Sequence, residues 1–292
     1  MMGILERLEA GEILVADGAT GTNLQKVGLV GGIHTEDWIM DEPQKILDLE
    51  KAFVAAGVDI ILTCTFGGTR PRMLAAKHAG EVVEINRRAA ELARQAASER
   101  EGVLVAGSMG PIGKLLKPYG PLTTDEARQA YAEQARALAD GGVDLLLFET
   151  QFAMNEVDAG FEGARSVTDL PIAVSFAYDR GTRTMMGTKP TDVMKKYKEM
   201  GAALIGANCG TTLENMEAVI GEYSGADPAF PLWAKPNAGM PRLVGEETVY
   251  DVSPEQMAEF AQKYVSMGAR VVGGCCGSTP DHVAAIVRAI KK

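Results

Sequence analysis

The chain has 292 residues, of which 46% are hydrophobic and 23% are charged, and its formal net charge is −10. These proportions are typical of a globular protein with a sizeable core, and the acidic balance argues against an extended nucleic-acid surface, which needs clustered Lys and Arg. No apolar run approaches the roughly 20 residues of a membrane span, and the start MMGILERLEAGE is too polar for a secretory leader. Four cysteines in a chain of this length do not suggest a disulfide framework, so we expect a cytoplasmic protein in a reducing compartment.

Eight short apolar runs of β-rich composition follow one another along the chain. They lie at residues 13–18, 59–66, 102–108, 144–150, 171–176, 203–209, 231–237 and 270–276. Each run is continuously apolar rather than alternating, which is typical of strands that are buried on both faces of a parallel sheet.

Helical segments separate these runs and carry recognisable start and stop signals. Helix starts are predicted at Pro43, at Thr124 as N-cap, at Ser253 before Pro254, and at Thr279 before Pro280. Glycines that end helices are predicted at Gly57, Gly142, Gly201 and Gly268. Eight strands alternating with about eight helices indicate the α/β class and one (β/α)8 barrel domain over residues 1–292. The alternative, a doubly wound open sheet, predicts fewer strands and a Gly-x-Gly-x-x-Gly turn after the first strand, and neither is found.

The barrel interpretation places a set of polar residues at one end of the molecule. Active sites of such barrels lie at the carboxyl ends of the strands. The residues predicted there are Asp17, Thr63, Thr65, Ser108, Glu149, Cys209, Asn237, Cys275 and Cys276.

Three of the four cysteines lie in Gly-rich segments that directly follow apolar runs. Cys209 lies in IGANCG, and Cys275 and Cys276 lie in VVGGCCGSTPDH. Three thiolates from two loops can bind zinc and leave the fourth tetrahedral position open, as in catalytic zinc sites. Buried core cysteines and a vicinal disulfide are the alternatives. Cys64 has no such glycine context and is predicted to lie in the core or a wall.

Three polar residues at other strand ends are candidates for ligand binding. Asp17 opens DGATGTNLQ, where it either accepts a hydrogen bond from a cationic group or stabilises its own turn. Glu149 ends the run LLLF, so its carboxylate needs either a ligand ammonium or a structural Arg or Lys. Asn237 offers an amide oxygen as a weak, displaceable zinc ligand, or else bonds within its own turn.

The histidines give no metal-binding pattern. His78 and His282 lack ligand spacing to any cysteine and are interpreted as solvated surface residues.

A series of motifs identifies a family. The segments DGATGTNLQ, TCTFGGTR, AGSMGPIGKLLKPYGPLTTDEA, FET, GANCG, KPNAGMP and GGCCGSTPDH occur in this order over essentially the whole chain. They resemble the homocysteine-binding barrel shared by homocysteine S-methyltransferases, betaine–homocysteine methyltransferase and the N-terminal module of cobalamin-dependent methionine synthase. GPIGKLLKPYGPLTT and KPNAGMP are most similar to the methionine synthase branch.

The resemblance implies a zinc-dependent enzyme that activates homocysteine as a zinc-bound thiolate and methylates it to methionine. Cys209, Cys275 and Cys276 match the three zinc thiolates of the family. Asn237 matches the residue that, in the methionine synthase branch, fills the fourth position until substrate arrives.

The resemblance also implies how the amino acid is held. Asp17 and Glu149 match the carboxylates that bind the substrate ammonium group. Gly18 and Thr63 match a backbone and a side-chain contact to the substrate.

The methyl donor is the open part of this hypothesis. Gly67 stands where the betaine enzyme has a tyrosine, so betaine is not expected as donor, and the chain stops at Lys292 without a visible donor module. We expect a separate methylcorrinoid protein to dock over a mouth without a long lid. S-methylmethionine or S-adenosylmethionine as donor, another acceptor thiol, and a non-catalytic thiol- or zinc-binding module of a corrinoid complex are the alternatives.

Aromatic rings bear on the choice of donor, since a small sulfonium donor favours a pocket with aromatic faces. Few are expected near the strand ends, namely Phe66, Phe148, Phe176 and Trp233.

Overall fold

A computed structural model describes residues 2–245 and 247–291. Its strands are β1 Leu14–Val15, β2 Ile60–Leu62, β3 Leu104–Met109, β4 Leu145–Gln151, β5 Ile172–Phe176, β6 Leu204–Cys209, β7 Leu232–Pro236, β8 Arg242–Val244, β9 Glu247–Val249 and β10 Ala269–Val272. Its α-helices are α1 Ile4–Glu9, α2 Gly21–Lys26, α3 Trp38–Asp41, α4 Pro43–Ala55, α5 Val82–Ala97, α6 Thr124–Asp140, α7 Met154–Arg165, α8 Pro190–Glu199, α9 Leu213–Ala226, α10 Pro254–Ser266 and α11 Pro280–Ile290. Short 3₁₀ helices lie at Thr35–Asp37, Met73–Ala75 and Ala79–Glu81.

Eight of the strands form one parallel sheet in the order β1-β10-β7-β6-β5-β4-β3-β2. This confirms the predicted (β/α)8 barrel, and each predicted apolar run overlaps one of the eight strands. The remaining two strands, β8 and β9, form an antiparallel hairpin between β7 and α10 that the sequence analysis did not predict. Within the described ranges, no helix has the length and apolar character needed to cross a membrane.

The helix boundaries follow the local signals closely. The four predicted helix-ending glycines all have positive φ, between 81° and 107°, a backbone conformation that glycine adopts without a steric cost. Ser253 caps α10 as predicted. The N-cap of α6 is Thr123 and not Thr124, because Thr123 forms the reciprocal capping box with Glu126.

The barrel is closed between β1 and β2 by a short backbone pairing and by two aspartate side chains. The backbone pairing consists of the bridge between Ala16 and Ile60, where the Asp17 amide donates to the Ile60 carbonyl at 3.0 Å and the Asp59 amide donates to the Val15 carbonyl at 2.7 Å. Asp59 accepts a hydrogen bond from the Val15 amide at 2.8 Å, and Asp17 accepts one from the Leu62 amide at 2.7 Å. Side-chain carboxylates therefore replace part of the main-chain ladder along this seam.

The barrel interior changes from apolar to polar along the strands. Successive side chains of a strand point to opposite faces, and Leu145 and Leu147 of β4 belong to the interior apolar cluster together with Trp233 of β7. Two residues further along these strands, the inward positions are Glu149 and Lys235, both buried. The strand parity thus creates a polar layer at the carboxyl ends of the strands.

Candidate metal and substrate site

The three predicted zinc cysteines meet at one point. Their sulfur atoms all lie within 4.8 Å of one another, with Cys209 Sγ and Cys275 Sγ 2.9 Å apart. The chain reaches this arrangement by local backbone geometry, since Cys209 has a φ of 59° and the pair Cys275–Cys276 follows Gly273 and Gly274 beyond β10. A Cβ on Gly273 would lie 2.8 Å from the Ala16 carbonyl oxygen, so a larger residue does not fit there.

The pKa values of the three cysteines favour the binding of a cation. Hydrogen bonds from Cys209 and Cys275 lower the pKa of Cys276 to about 3, whereas the contacts with Cys275 and Cys276 raise the pKa of Cys209 well above its usual value. The ionisations of the three thiols are linked. The first thiol loses its proton easily, and the negative charge that results makes deprotonation of the next thiol harder. Three adjacent thiolates therefore need a positively charged partner. None of the four cysteines forms a disulfide, so all three sulfurs are available to it.

Asn237 has the properties of a fourth ligand. It directly follows β7, and its side-chain amide donates to the Gly210 carbonyl at 3.0 Å, next to Cys209 in the chain. Its Oδ1 atom is buried and has no hydrogen-bond partner. A buried acceptor without a partner is rare, and a metal ion at the sulfur cluster would satisfy it. The donor set of three thiolates and one amide oxygen thus fits a zinc ion.

Asn208 supports the cluster and was missed by the sequence analysis. It is fully buried, accepts hydrogen bonds from the Thr150 amide and the Ser175 hydroxyl, and donates to Thr150 Oγ1 and Cys275 Sγ. Because every polar atom of this amide is used, it fixes both β4 and the Cys275 loop. A polar residue inside the apolar run ALIGANC was the available signal.

A cavity of about 400 Å³ extends from the sulfur cluster over the polar layer. Gly18, Thr63, Glu149 and Lys235 lie in its wall together with the three cysteines. A Cβ on Gly18 would approach the Phe53 ring at 2.8 Å, so the close approach of the backbone there requires glycine.

Glu149 has an unusually high pKa for an acidic residue. Burial raises its pKa to about 7, although the nearby Lys235 charge favours the carboxylate. Its Oε1 accepts a short hydrogen bond from the Ser108 hydroxyl. Thr63 in turn accepts a hydrogen bond from the Ser108 amide at 3.0 Å.

Asp17 is already paired with a cation of the protein. Lys235 Nζ donates to Asp17 Oδ1 at 2.6 Å, and the side chains of the pair are only 2% and 3% exposed. Burial lowers the pKa of Lys235, but the charges of Asp17 and Glu149 outweigh burial and hold it above its usual value. The sequence analysis did not single out Lys235, although a cation in the apolar run PLWAKPN was a signal of a buried ion pair.

Cys64 and two histidines were also considered at the sequence level. Cys64 is buried among apolar residues and also forms part of the cavity wall, as predicted. His78 and His282 are half-buried and hydrogen-bonded, and not simply solvated as predicted: His78 contacts Asp41 and Glu81, and His282 caps α11 through Thr279.

The aromatic rings are mostly core residues. Phe148, Phe176 and Trp233 are fully buried, and Phe66 is the one of the four that lines the cavity. Arg72 lies over the Phe66 ring, with its guanidinium carbon 5.1 Å from the ring centroid.

Comparison with known proteins gives a consistent set of similarities. The sequence model of the family described as homocysteine S-methyltransferase matches residues 14–290. Methionine synthase of Mycobacterium leprae is 29% identical over an alignment covering 99% of this chain and 25% of that protein, so the chain spans about a quarter of that relative's length.

Solved structures show the same relationship. The metallated form of the homocysteine methyltransferase MmuM from Escherichia coli matches with a TM-score of 0.80 and 25% identity over 96% of each chain. The apo form of that protein matches with a TM-score of 0.76 and 26% identity over 97% of each chain.

Proposed function

Since the chain belongs to the homocysteine S-methyltransferase family, we propose that it methylates the sulfur of homocysteine at a zinc ion. The observation that carries this proposal is the cluster of three cysteine sulfurs within 4.8 Å at the edge of a cavity that contains Glu149. Cys209, Cys275 and Cys276 would hold the metal, with Asn237 in the fourth position until the acceptor sulfur replaces it. A bound zinc ion would supply the positive charge that deprotonates the acceptor thiol.

The residues of the cavity would hold and orient the amino acid. Glu149 is buried and uses one oxygen on Ser108, so its second oxygen is available to the acceptor's ammonium group. Gly18 and Thr63 would contact the rest of the molecule from the same wall. Asp17 would act at this site through Lys235, to which it is hydrogen-bonded.

Methyl transfer then needs little more than alignment. The acceptor sulfur forms a bond to the methyl carbon while the bond between that carbon and the donor atom breaks, and the electron pair of the broken bond stays with the donor. The thiol proton leaves to solvent before this step. Holding the sulfur and the amino acid at two separate points fixes the direction of attack, which is the main contribution a protein can make to such a displacement.

A methylcorrinoid protein is the donor that the surface favours. Ten of the thirteen exposed large apolar side chains in the described part of the chain lie in segments that follow the carboxyl ends of β1, β2, β3, β5 and β7. They are Val27, Val30, Ile33, Leu74, Tyr119, Met185, Met186, Met240, Leu243 and Val244. Exposed apolar side chains gathered at one end of a barrel are candidates for an interaction surface, and a donor held by a second protein would cover them.

The test is a donor comparison with zinc-loaded protein and homocysteine. We expect methionine to form with a methylcorrinoid protein and much more slowly with S-methylmethionine or S-adenosylmethionine. Fast turnover with either sulfonium compound would overturn the choice of donor. Tight homocysteine binding without turnover from any donor would instead indicate a non-catalytic module.

A further inference from the structure

Lys235 is a buried cation in the wall of the cavity. It lies on β7, two residues beyond the core residue Trp233, so its side chain points into the barrel. Both residues of the pair are buried, but the cavity wall includes Lys235 and not its partner Asp17. Lys235 therefore separates the Asp17 carboxylate from anything that binds in the cavity.

The ammonium group of Lys235 has unused donor capacity. A lysine ammonium carries three N–H donors, and the one hydrogen bond that it makes in the described part of the chain is the 2.6 Å bond to Asp17. Both oxygens of Asp17 are engaged, since the second accepts a hydrogen bond from the Leu62 amide. A buried charge with unused donors is costly unless another partner is present.

The cavity thus offers two opposite charges to a bound molecule. Glu149 and Lys235 lie in the same cavity wall. An α-amino acid carries the two complementary charges, an ammonium group and a carboxylate, on one carbon atom. The distribution of charge along the wall therefore matches such a molecule better than it matches a simple amine.

We propose that Lys235 binds the α-carboxylate of the acceptor thiol and makes the site selective for thiols that carry a carboxylate. Asp17 is then a positioning residue that holds the Lys235 ammonium in the wall. This inference rests on the proposed function, because it assumes that an amino acid thiol occupies the cavity with its sulfur at the cysteine cluster.

Three thiols separate the two charges of the acceptor. They are homocysteine, the same molecule without its amino group (γ-mercaptobutyrate), and the same molecule without its carboxylate (γ-mercaptopropylamine). Binding of each to the zinc-loaded protein is measured by calorimetric titration. The Lys235→Met variant should weaken binding of homocysteine and γ-mercaptobutyrate about ten- to hundred-fold, the usual range for losing a hydrogen bond to a charged group. Binding of γ-mercaptopropylamine should stay within about two-fold.

A double variant controls for the possibility that Lys235→Met loses binding only because the protein unfolds. Lys235→Met alone leaves the Asp17 charge buried without its partner, which is destabilising. The double variant Asp17→Asn/Lys235→Met removes both charges together and keeps an acceptor for the Leu62 amide, so it should fold and show the same selective loss. Lys235→Arg, which keeps the cation, should restore discrimination in favour of the two carboxylate-bearing thiols.

The outcomes distinguish this inference from the proposed function. An equal loss for all three thiols in the folded double variant would show that Lys235 has only a structural role, and it would overturn the inference alone. If wild-type protein with a full complement of zinc binds none of the three thiols, the proposed function fails and the inference fails with it.

Discussion

Glu149→Gln tests whether the ammonium group of the acceptor binds at the end of β4. Glutamine has nearly the same shape and keeps an oxygen that can accept the hydrogen bond from Ser108, so the change removes mainly the charge. A hydrogen bond to a charged group contributes about 1.5–3 kcal/mol, and about 1.4 kcal/mol corresponds to a tenfold change. We therefore expect the affinity for homocysteine to fall about ten- to hundred-fold, with zinc still bound.

The pH dependence of binding gives a second, independent measure of the same interaction. Burial raises the pKa of Glu149 to about 7, so below that pH the carboxyl group is protonated and cannot pair with an ammonium group. Affinity should strengthen as the pH rises through about 7 and level off above it. A bound zinc ion would favour the carboxylate and move this window to lower pH.

The assay is a titration of zinc-loaded wild-type and Glu149→Gln protein over a range of pH. Deprotonation of the thiol also makes binding stronger at higher pH, and this effect is common to both proteins, so the difference between their profiles isolates Glu149. γ-Mercaptobutyrate has no ammonium group and is the matched control, with equal affinity expected for both proteins. If the Glu149→Gln change weakened binding of both thiols alike, or of neither, the assignment of the ammonium site to Glu149 would be wrong.

Three further predictions concern the metal, the barrel and the donor. Wild-type protein should contain about one zinc ion per chain by metal analysis, and Cys209→Ala should lose it while Cys64→Ala keeps it; full occupancy in the first variant would contradict the assignment. Gly206→Ala would place a Cβ 1.9 Å from the Trp233 carbonyl oxygen, so we expect a loss of at least ~1–3 kcal/mol in denaturant unfolding, whereas Gly225→Ala, with open space around it, should cost nothing. Leu243→Asp, in the β8–β9 hairpin, should slow methyl transfer from a corrinoid protein but not from free methylcobalamin. Equal slowing of both reactions would argue against docking at this hairpin.

The barrel could be predicted because its determinants are local. A glycine that ends a helix, followed by a continuously apolar run, specifies one α/β unit without reference to the rest of the chain. The hairpin of β8 and β9 was missed, although Gly245 between its two strands is also a local turn signal. The misplaced cap at α6 has a similar cause, since two adjacent threonines both fit an N-cap and only the Glu126 position distinguishes them.

The meeting of the three cysteines was predictable from the sequence, whereas the electrostatics of the site were not. Glycine next to cysteine at strand ends indicated where the sulfurs would meet. The pairing of Lys235 with Asp17 joins residues 218 positions apart, and no spacing rule connects them. The sequence could indicate that a buried lysine needs a carboxylate, but only the closed barrel determines which one.

The seam between β1 and β2 gives the molecule a built-in reporter of cavity occupancy. One carboxylate oxygen of Asp17 accepts a hydrogen bond from the Leu62 amide across the seam. The other oxygen accepts a hydrogen bond from the Lys235 ammonium group in the cavity wall. A ligand that pulls this cation towards itself changes the electron density on the shared carboxylate and hence the shielding of the Leu62 amide proton. The NMR chemical shift of the Leu62 amide, at the seam between β1 and β2, should therefore change as the ligand saturates the cavity, and the ligand needs no label.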